Sequence, residues 1–473
     1  MNKLIVNSVW KMLQQYSAYF IKFIVQIVLA RILLPEEFGI IAEMTAVVII
    51  VEKIADGGLG AALIQKKNAE TADFNTVFVS NLCMSIILYL LIFVFAPFIA
   101  NYYSEPSLVK MLRIYGITVF FTSYNSIQTA QIYKKYELKK YFISSLIAAV
   151  TSGAIAIALA YLGFGVWAMV AQSMISWLIT VAVLQIQIKW LPKFSFDFNR
   201  FKRLFSFSWK VLVSTLCGTI LENLYNLSIG KYYSKDTLGY YNRGNLFPSI
   251  IVGEVRTAVS TVTFPYLSER QDDKSHLLSS SKRITHICAI VMFPLAAGLA
   301  AVSKPLVVLL LTEKWLPAVF FLRLECIFYA SLAVSASLGN ILKAVGKSGV
   351  LMKIELIKLV LTIICIATLH TKAIEILCVA RVAVALLMII YNVFCSGKIV
   401  GYGFGELWDD ICRPLLLSLV MFVLVYSISF LALPLVVTLL LQIIVGLAAY
   451  GGGCYLFMKK DISEIISLFK RSK

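Results

Sequence analysis

The stretch QIVLARILLPEEFGII, Gln26 to Ile41, combines a long apolar run with one arginine, one proline and two glutamates. Its aliphatic residues are typical of a helix in a bilayer, whereas a simple membrane anchor has no use for Arg31. The rest of the chain has the same character. Of its 473 residues, 60% are hydrophobic and 14% charged, with a mean hydropathy of +0.85. Since soluble chains carry about a quarter charged residues, this composition predicts an all-α polytopic membrane protein.

Apolar runs of about 20 residues, long enough to cross a bilayer, recur along the chain, and we predict fourteen membrane spans from them. The predicted spans cover approximately residues 12–34, 39–63, 78–100, 112–132, 142–162, 164–186, 209–229, 238–267, 284–302, 318–342, 350–369, 374–394, 411–430 and 434–457. The apolar piece between Lys304 and Trp315 is too short to span, and we expect it at the membrane interface.

Ionisable residues cluster in the first two spans and again, six spans later, in the seventh and eighth. This spacing predicts two six-helix lobes around a central cavity, an arrangement common among alternating-access transporters. We therefore expect an N-terminal lobe over residues 1–190 and a C-terminal lobe over residues 191–400. Two additional spans and a basic cytoplasmic tail would occupy residues 401–473.

The distribution of lysine and arginine predicts the orientation, because cytoplasmic loops of membrane proteins collect these residues. The basic segments 134–140 and 189–203 and the C-terminal tail fall on one side of the predicted membrane, as does the loop 268–283. We expect both termini in the cytoplasm. The net charge of +18 is then explained by topology and by attraction to anionic lipids, so we expect membrane lipids and no nucleic acid as partners.

Motifs for catalysis or for cofactor binding are missing from the sequence. The three histidines form no HExxH motif, and the nine cysteines are scattered without a CxxC pair, so neither a metal site nor a cofactor is expected. The segment Ala344–Ser348 resembles the end of a phosphate-binding loop, but Ile341 stands where the first glycine is needed. We predict a transporter and not an enzyme.

Ionisable residues at bilayer depth are costly and commonly line a cavity, which makes them the candidate site residues. Among the cations at such depth, the candidates for substrate binding are Lys22, Lys53, Arg243 and Arg256. Each class of candidate also has a structural explanation. Residues near a span end can extend to the headgroups, as Arg31 can. Lys53 can be neutralised by Glu52 and Asp56.

Six stretches of the chain have a recognisable pattern: LARILLPEEFGIIA (29–42), ADGGLGAALIQKK (55–67), YYNRGNLFPSII (240–251), TVTFPYLSERQDD (261–273), LLLTEKWLPAVFFLRL (309–324) and GNILKAVGKSGVLMKIELIKLVL (339–361). In this order they resemble bacterial oligosaccharide flippases, the Wzx-like polysaccharide transporters, which belong to a larger group with MATE exporters and lipid II flippases. The resemblance covers residues 1 to about 400. The last two spans match in character only.

The resemblance implies movement of an undecaprenyl-pyrophosphate-linked oligosaccharide across the bacterial cytoplasmic membrane, for surface polysaccharide synthesis. A polysaccharide polymerase and glycosyltransferases would be partners. The pyrophosphate needs cations, for which Lys22, Lys53, Arg243 and Arg256 are the candidates, and Arg243 falls on the arginine of a Tyr-x-Arg motif in lipid II flippases. The first-span arginine of those flippases falls near Lys22 but not on it. A MATE-type multidrug exporter is the alternative function, although a positive cavity would repel its cationic substrates.

The family signature Arg-x-x-x-Pro-x-x-Phe-Gly is present as Arg31, Pro35, Phe38 and Gly39. We expect Arg31 to end the first span at the outer surface and Pro35 to stop the helix. A structural role is our preferred interpretation of Arg31, with gating as the alternative, and Pro35 and Asp56 belong to the same gating or structural group.

A polar cluster on the seventh span suggests an ion-coupling site. Glu222 and Asn226 lie one turn apart on the same helix face, and Asn223 is adjacent. Carboxylate and amide oxygens suit a small hard cation such as Na⁺, and a buried glutamate can carry H⁺. The alternative is that these residues cap a kink or bond to neighbouring helices.

Overall fold

The computed structural model describes residues 2–256, 263, 267, 274–431 and 433–459, which are helical and contain no strand. The α-helices in chain order are α1 (Asn2–Ile32), α2 (Pro35–Asp56), α3 (Leu59–Gln65), α4 (Thr71–Tyr102), α5 (Ser107–Tyr115), α6 (Thr118–Lys135), α7 (Leu138–Tyr161), α8 (Val166–Ile188), α9 (Phe198–Tyr232), α10 (Lys235–Pro248), α11 (Lys274–Ala301), α12 (Ser303–Leu311), α13 (Ala318–Ala344), α14 (Ser348–Leu369), α15 (Ile374–Val400), α16 (Phe404–Ser427) and α17 (Leu435–Phe457). A π-helix, Ser249–Gly253, follows α10, and 3₁₀ turns occur at Glu313–Trp315 and Ile428–Leu431.

Each predicted span overlaps one of these helices, and the eighth also extends into residues outside the described ranges. Within the described residues, nine helices are long and apolar enough to cross a membrane, namely α4, α7, α8, α9, α11, α13, α15, α16 and α17. The remaining predicted spans coincide with helices that are shorter or richer in polar residues. The all-α membrane fold is confirmed, and the count of fourteen spans stays a prediction.

The lipid-facing surface is visible as exposed apolar side chains on the outer helices. On α4, Leu90, Val94 and Phe98 are more than half exposed, and α17 has the same character at Ile444 and Leu447. A water-soluble protein rarely exposes so large an apolar area, whereas hydrocarbon chains solvate it without penalty. These faces therefore lie against lipid.

The chain packs into two compact units, Met1–Gly239 and Tyr240–Lys473. In the first unit, α7 packs closely between α1 and α8. Its buried face is made of small residues, among them Ala149, Gly153 and Ala156, with Gly153 against Val25 of α1. Small side chains allow such close approach of membrane helices. Helix α9 packs in this unit on α2 and α3. The first compact unit therefore includes residues 191–239, which the sequence analysis assigns to the second lobe.

The second unit is centred on α11, which packs along α16 and α13, while α13 packs on α15. Its core contains buried Leu338, Ile341, Val393 and Tyr402. The helix that starts at Lys235 changes to a π-helix directly after Pro248. Proline has no N–H for the α-helical ladder, and a π turn accommodates an extra residue there.

Candidate functional site

The turn between α1 and α2 contains the signature arginine and proline. Helix α1 ends at Ile32, and Pro35 occupies the first turn of α2, where a missing N–H carries no penalty. The Leu34 N–H donates to Glu37 Oε2 at 2.7 Å and so caps α2. Pro35 begins the second helix, and the first helix ends three residues before it. This position of the helix end fits the expectation that Pro35 stops the first helix. Arg31 lies exposed in the last turn of α1.

Two glycines 200 residues apart, Gly39 and Gly239, make reciprocal backbone contacts in the first unit. A Cβ atom at Gly39 would overlap the carbonyl of Lys235, and one at Gly239 would overlap the carbonyl of Pro35. Pro35 and Lys235 are themselves 200 residues apart and occupy the same position in their helices. The start of α2 thus packs against residues 235–239 through a self-complementary contact that only glycine permits.

A buried ion pair lies one turn beyond this contact. Glu43 is fully buried on α2 and pairs with Lys235, which also donates to the Tyr103 carbonyl at 3.0 Å. Gly230 of α9 leaves the space that the Glu43 side chain fills. Because a buried carboxylate is stable only with a partner, Lys235 fixes the position of residues 230–239 on α2.

The other end of α2 contains a row of polar groups. Thr118 Oγ1 donates to Glu52 Oε1 at 2.7 Å, and Asp56 is hydrogen-bonded by Ser126 and by the Gly58 backbone. Both carboxylates thereby bind α6, while Lys53 between them remains exposed. Asp56 therefore helps to hold α2 against α6, and the Lys53 side chain lies at the surface of the unit.

Lys22 lies on the exposed face of α1, beside exposed Tyr19. It is about 15 Å along the helix from Ile32, well inside the first predicted span. No ion pair to Lys22 is found among the residues that the structure describes. The ammonium group of a lysine at this depth requires water or a polar ligand.

The three residues of the predicted ion-coupling cluster lie on α9 in the first unit. Glu222 is exposed, and Asn223 and Asn226 are half-buried. The Asn223 amide donates to the Thr219 carbonyl of its own helix at 2.9 Å. No cluster of three or more His, Cys, Asp or Glu suited to a metal ion occurs within the described ranges. The coupling role of Glu222 stays a prediction.

In the second unit, Arg243 is buried on α10, and its neighbour Tyr241 belongs to a polar network. Arg381 of α15 donates to Tyr241 and pairs with buried Glu325 of α13. The Arg381 guanidinium also lies 3.9 Å from the centroid of the Phe328 ring. The network joins α10, α13 and α15 next to Arg243, so it holds that helix segment in place.

Arg256, the fourth predicted cation, follows the π-helix and lies at a tightly packed site of mixed polar and apolar side chains in the second unit. Ser337 and Asn340 of α13 line the same site, and the Asn340 amide donates to Thr263 Oγ1 at 3.0 Å. The structure therefore places Lys22 and Lys53 in the first unit, and Arg243 and Arg256 in the second.

The sequence analysis did not predict two buried ion pairs, Glu325–Arg381 and Glu43–Lys235. Glu325 and Arg381 are recognisable as ionisable residues within spans, but nothing in their spacing indicates that they pair. Glu43 and Lys235 are 192 residues apart, and Lys235 reads as an ordinary loop lysine. The available signal was Glu43 itself, a carboxylate inside an apolar run.

An ionic network fastens the segment between α8 and α9 to the start of α4. Buried Asp73 pairs with Lys66 at 2.7 Å and with Arg200 at 3.2 Å. Asp197 caps α9, and hydrogen bonds from the backbone N–H groups of Arg200 and Asn199 lower the pKa of its carboxyl group. These contacts fix the direction in which α9 leaves the preceding segment.

Long apolar helices with lipid-facing sides and charged groups at bilayer depth define a multi-span membrane transport protein. The chain belongs to the polysaccharide biosynthesis protein family, whose profile matches residues 28–320. This confirms the family resemblance inferred from the sequence.

Two relatives illustrate the family. The chain is 28% identical over 356 residues to the succinoglycan biosynthesis transport protein ExoT of Rhizobium meliloti (strain 1021), which covers 75% of this chain and 72% of ExoT. It is 24% identical over 416 residues to the teichuronic acid biosynthesis protein TuaB of Bacillus subtilis (strain 168), covering 86% and 84% of the two chains.

The fold is similar to a solved structure of the lipid II flippase MurJ in an inward closed conformation. The TM-score is 0.78 at 15% sequence identity, and the similarity covers 97% of this chain and 100% of the other. At this level of identity the likeness establishes the fold, and the substrate has to be argued from the residues of this chain.

Proposed function

We propose that this protein moves an undecaprenyl-pyrophosphate-linked oligosaccharide from the inner to the outer leaflet of a bacterial cytoplasmic membrane, by alternating access and without changing a covalent bond. The observation that carries the proposal is Lys22, a partly exposed lysine residue deep in an apolar helix, in a chain whose relatives are named for polysaccharide biosynthesis. A cation is costly at this depth unless it meets water or an anion.

The charges favour an anionic headgroup. Lys53 is exposed on α2, and its acidic neighbours Glu52 and Asp56 accept hydrogen bonds from Thr118 and Ser126 of α6. Arg243 and Arg256 supply guanidinium groups, which can bind phosphate oxygens in a bidentate manner. The alternative, a MATE-type exporter of cationic drugs, would require these cations to be neutralised.

Transport by the purified full chain in liposomes tests the proposal. A fluorescent undecaprenyl-pyrophosphate oligosaccharide in the outer leaflet, read by accessibility to an external quencher, should equilibrate faster with the protein than in empty liposomes. Lys22→Gln combined with Lys53→Gln should lower the rate at least about tenfold, since two charge contacts of about 1 kcal/mol each are lost.

Lys110→Gln is the matched control, because Lys110 is an exposed lysine on the short helix α5 and its loss should leave the rate unchanged. Unaltered transport in the double variant would remove these lysines from the substrate path. Efficient transport of cationic dyes without movement of the labelled lipid would favour the drug-exporter alternative. We expect glycosyltransferases to assemble the lipid-linked oligosaccharide before transport, and a polysaccharide polymerase to act on it after transport.

A further inference from the structure

The segment that leads from α8 into the first turns of α9, residues 189–203, is docked on α4 of the first unit. The Lys193 N–H donates to Asn75 Oδ1 at 3.1 Å, and the Asp197 N–H donates to Thr76 Oγ1 at 3.3 Å. These contacts hold the backbone of the segment against the unit, while many of its side chains remain exposed.

The exposed side chains of this segment include large apolar groups. Leu191, Phe194 and Phe198 are 77%, 80% and 65% exposed. The ring centroids of Phe196 and Phe198 lie 5.8 and 6.5 Å from that of Phe201, so the rings form one continuous surface. Water-soluble surfaces rarely expose so many adjacent apolar side chains, and this surface therefore requires an apolar environment.

Four exposed cations lie among these apolar side chains. They are Lys189, Lys193, Lys202 and Arg203. Among the residues that the structure describes, no ion pair joins any of the four to a carboxylate. Arg203 donates through Nε to the carbonyl of Asn199 in its own helix, at 3.4 Å. We call these four cations, together with the exposed Leu191, Phe194, Phe196 and Phe198, the basic aromatic surface.

The carboxylates that contact the segment are engaged by a fifth cation, Arg200. Its guanidinium lies 2.8 Å from Glu70, 3.2 Å from Asp73 and 3.3 Å from Asp197. Asp73 also pairs with Lys66 at 2.7 Å. These three acids thus share Arg200 and Lys66, which leaves the four cations of the basic aromatic surface in excess.

Only one layer of a membrane suits such a surface. Hydrocarbon excludes the four charges, and water does not suit the adjacent rings, whereas the headgroup region accommodates both. The predicted topology places the segment on the cytoplasmic side, where anionic lipids attract clustered lysine and arginine residues.

We propose that the basic aromatic surface lies in the headgroup region of the cytoplasmic leaflet and binds anionic phospholipids there. The ammonium and guanidinium groups contact the lipid phosphates, and Leu191 and Phe198 enter the adjoining part of the acyl layer. Because α9 starts at this segment, the bound lipid fixes the depth at which α9 enters the bilayer. This lipid is not transported, so the inference does not depend on the proposed function.

Hydrogen–deuterium exchange of the full chain in nanodiscs tests the assignment. The backbone N–H groups of Phe194, Phe196 and Phe198 make no hydrogen bond within the described part of the chain, so their exchange reports on access of water. These amides should exchange about tenfold more slowly in nanodiscs of equal parts phosphatidylglycerol and phosphatidylcholine than in phosphatidylcholine alone.

Lys193→Gln with Lys202→Gln removes half of the four cations and should reduce the tenfold difference to about threefold. Lys193→Arg with Lys202→Arg keeps both charges and should preserve the difference. The matched control, Lys347→Gln with Lys353→Gln, removes two exposed lysines of the second unit and should also preserve it.

The apolar part of the surface has a separate test. Leu191→Ser with Phe198→Ser should speed exchange at Phe194 and Phe196 in both kinds of nanodisc, because insertion of apolar groups does not depend on lipid charge.

Equal exchange of the parent in the two lipid mixtures would overturn the proposal, and so would an undiminished tenfold difference in the Gln double variant. If the three amides exchanged as fast as those of an unstructured peptide in both nanodiscs, the surface would lie in water. The lipid assignment would then be wrong, and a protein partner would be the occupant to seek.

Discussion

Glu43 and Lys235 form a buried ion pair that joins α2 to the first residue of α10, at positions 192 residues apart in the chain. Glu43 has no exposed surface, and the Lys235 side chain is 15% exposed. The pair, with the Tyr103 carbonyl as a further acceptor, holds this end of the first unit together. Its removal should therefore affect folding before it affects any substrate contact.

Glu43→Gln and Lys235→Met should each destabilise the protein strongly, because each leaves one buried group without its counter-charge. Breaking a buried pair costs about 3–5 kcal/mol, whereas replacing both partners by apolar groups is often nearly neutral. Thermal unfolding in detergent should thus show large losses for the single variants and a partial recovery for Glu43→Leu with Lys235→Met. Glu355→Gln, which removes an exposed pair, serves as the control. Additive losses in the double variant would contradict a direct coupling.

Gly39→Ala and Gly239→Ala should both be destabilising, since a methyl group at either position overlaps a backbone carbonyl that cannot rotate away. Overpacking of this kind costs about 1–3 kcal/mol. Gly218→Ala in α9 is the matched control, because a Cβ there meets no atom within 4 Å and alanine stabilises a helix by about 0.5–1 kcal/mol relative to glycine. Thermal unfolding of the three variants should therefore give shifts of opposite sign. If Gly218→Ala lowered the unfolding temperature as much as Gly39→Ala and Gly239→Ala do, the losses could not be attributed to overlap with a backbone carbonyl.

Arg243→Ala should abolish surface polymer while the protein is still inserted, and Arg243→Lys should restore part of the activity. The lysine keeps the charge but loses the bidentate geometry of the guanidinium group. Polymer display and membrane-protein level should be measured together, because Arg243 is buried and its loss also affects packing. Normal display in Arg243→Ala would exclude this residue from the substrate site.

Glu222→Gln should remove the dependence of transport on an imposed sodium or proton gradient. The prediction rests on an exposed carboxylate on α9 next to two amide side chains. Liposomes with each gradient imposed separately distinguish the two ions. Glu375→Gln, an exposed glutamate in the first turn of α15, controls for loss of a negative charge. A variant that responds to both gradients as the parent does would make Glu222 structural.

Reporter fusions should place both ends of the chain and the segments around residues 136 and 195 in the cytoplasm, and residues near Glu105 outside. The physical basis is the clustering of lysine and arginine in the cytoplasmic segments. An external signal at position 195 would reverse the orientation assigned to the first unit.

Local patterns predicted the helices well, because hydropathy over 20 residues reports directly on a membrane helix. The same local patterns identified Lys22 and Lys53, because a lysine within an apolar run is recognisable without knowledge of any distant residue. What they could not predict was pairing. Whether Glu43 meets Lys235, or Glu325 meets Arg381, depends on which helices pack together, and a carboxylate in an apolar run carries no information about its partner.

The reciprocal contact of Gly39 and Gly239 implies that two stretches of this chain follow one backbone template with a shift of 200 residues. With that shift, Lys22 corresponds to Glu222, Glu43 to Arg243 and Asp56 to Arg256, and each of these pairs has opposite charges. At the turns the sign is kept, since Arg31 corresponds to Lys231 and Glu36 to Asp236. The two stretches thus share the charges of their turns and differ in the charges along their helices, so a copy of the first hairpin could not replace the second.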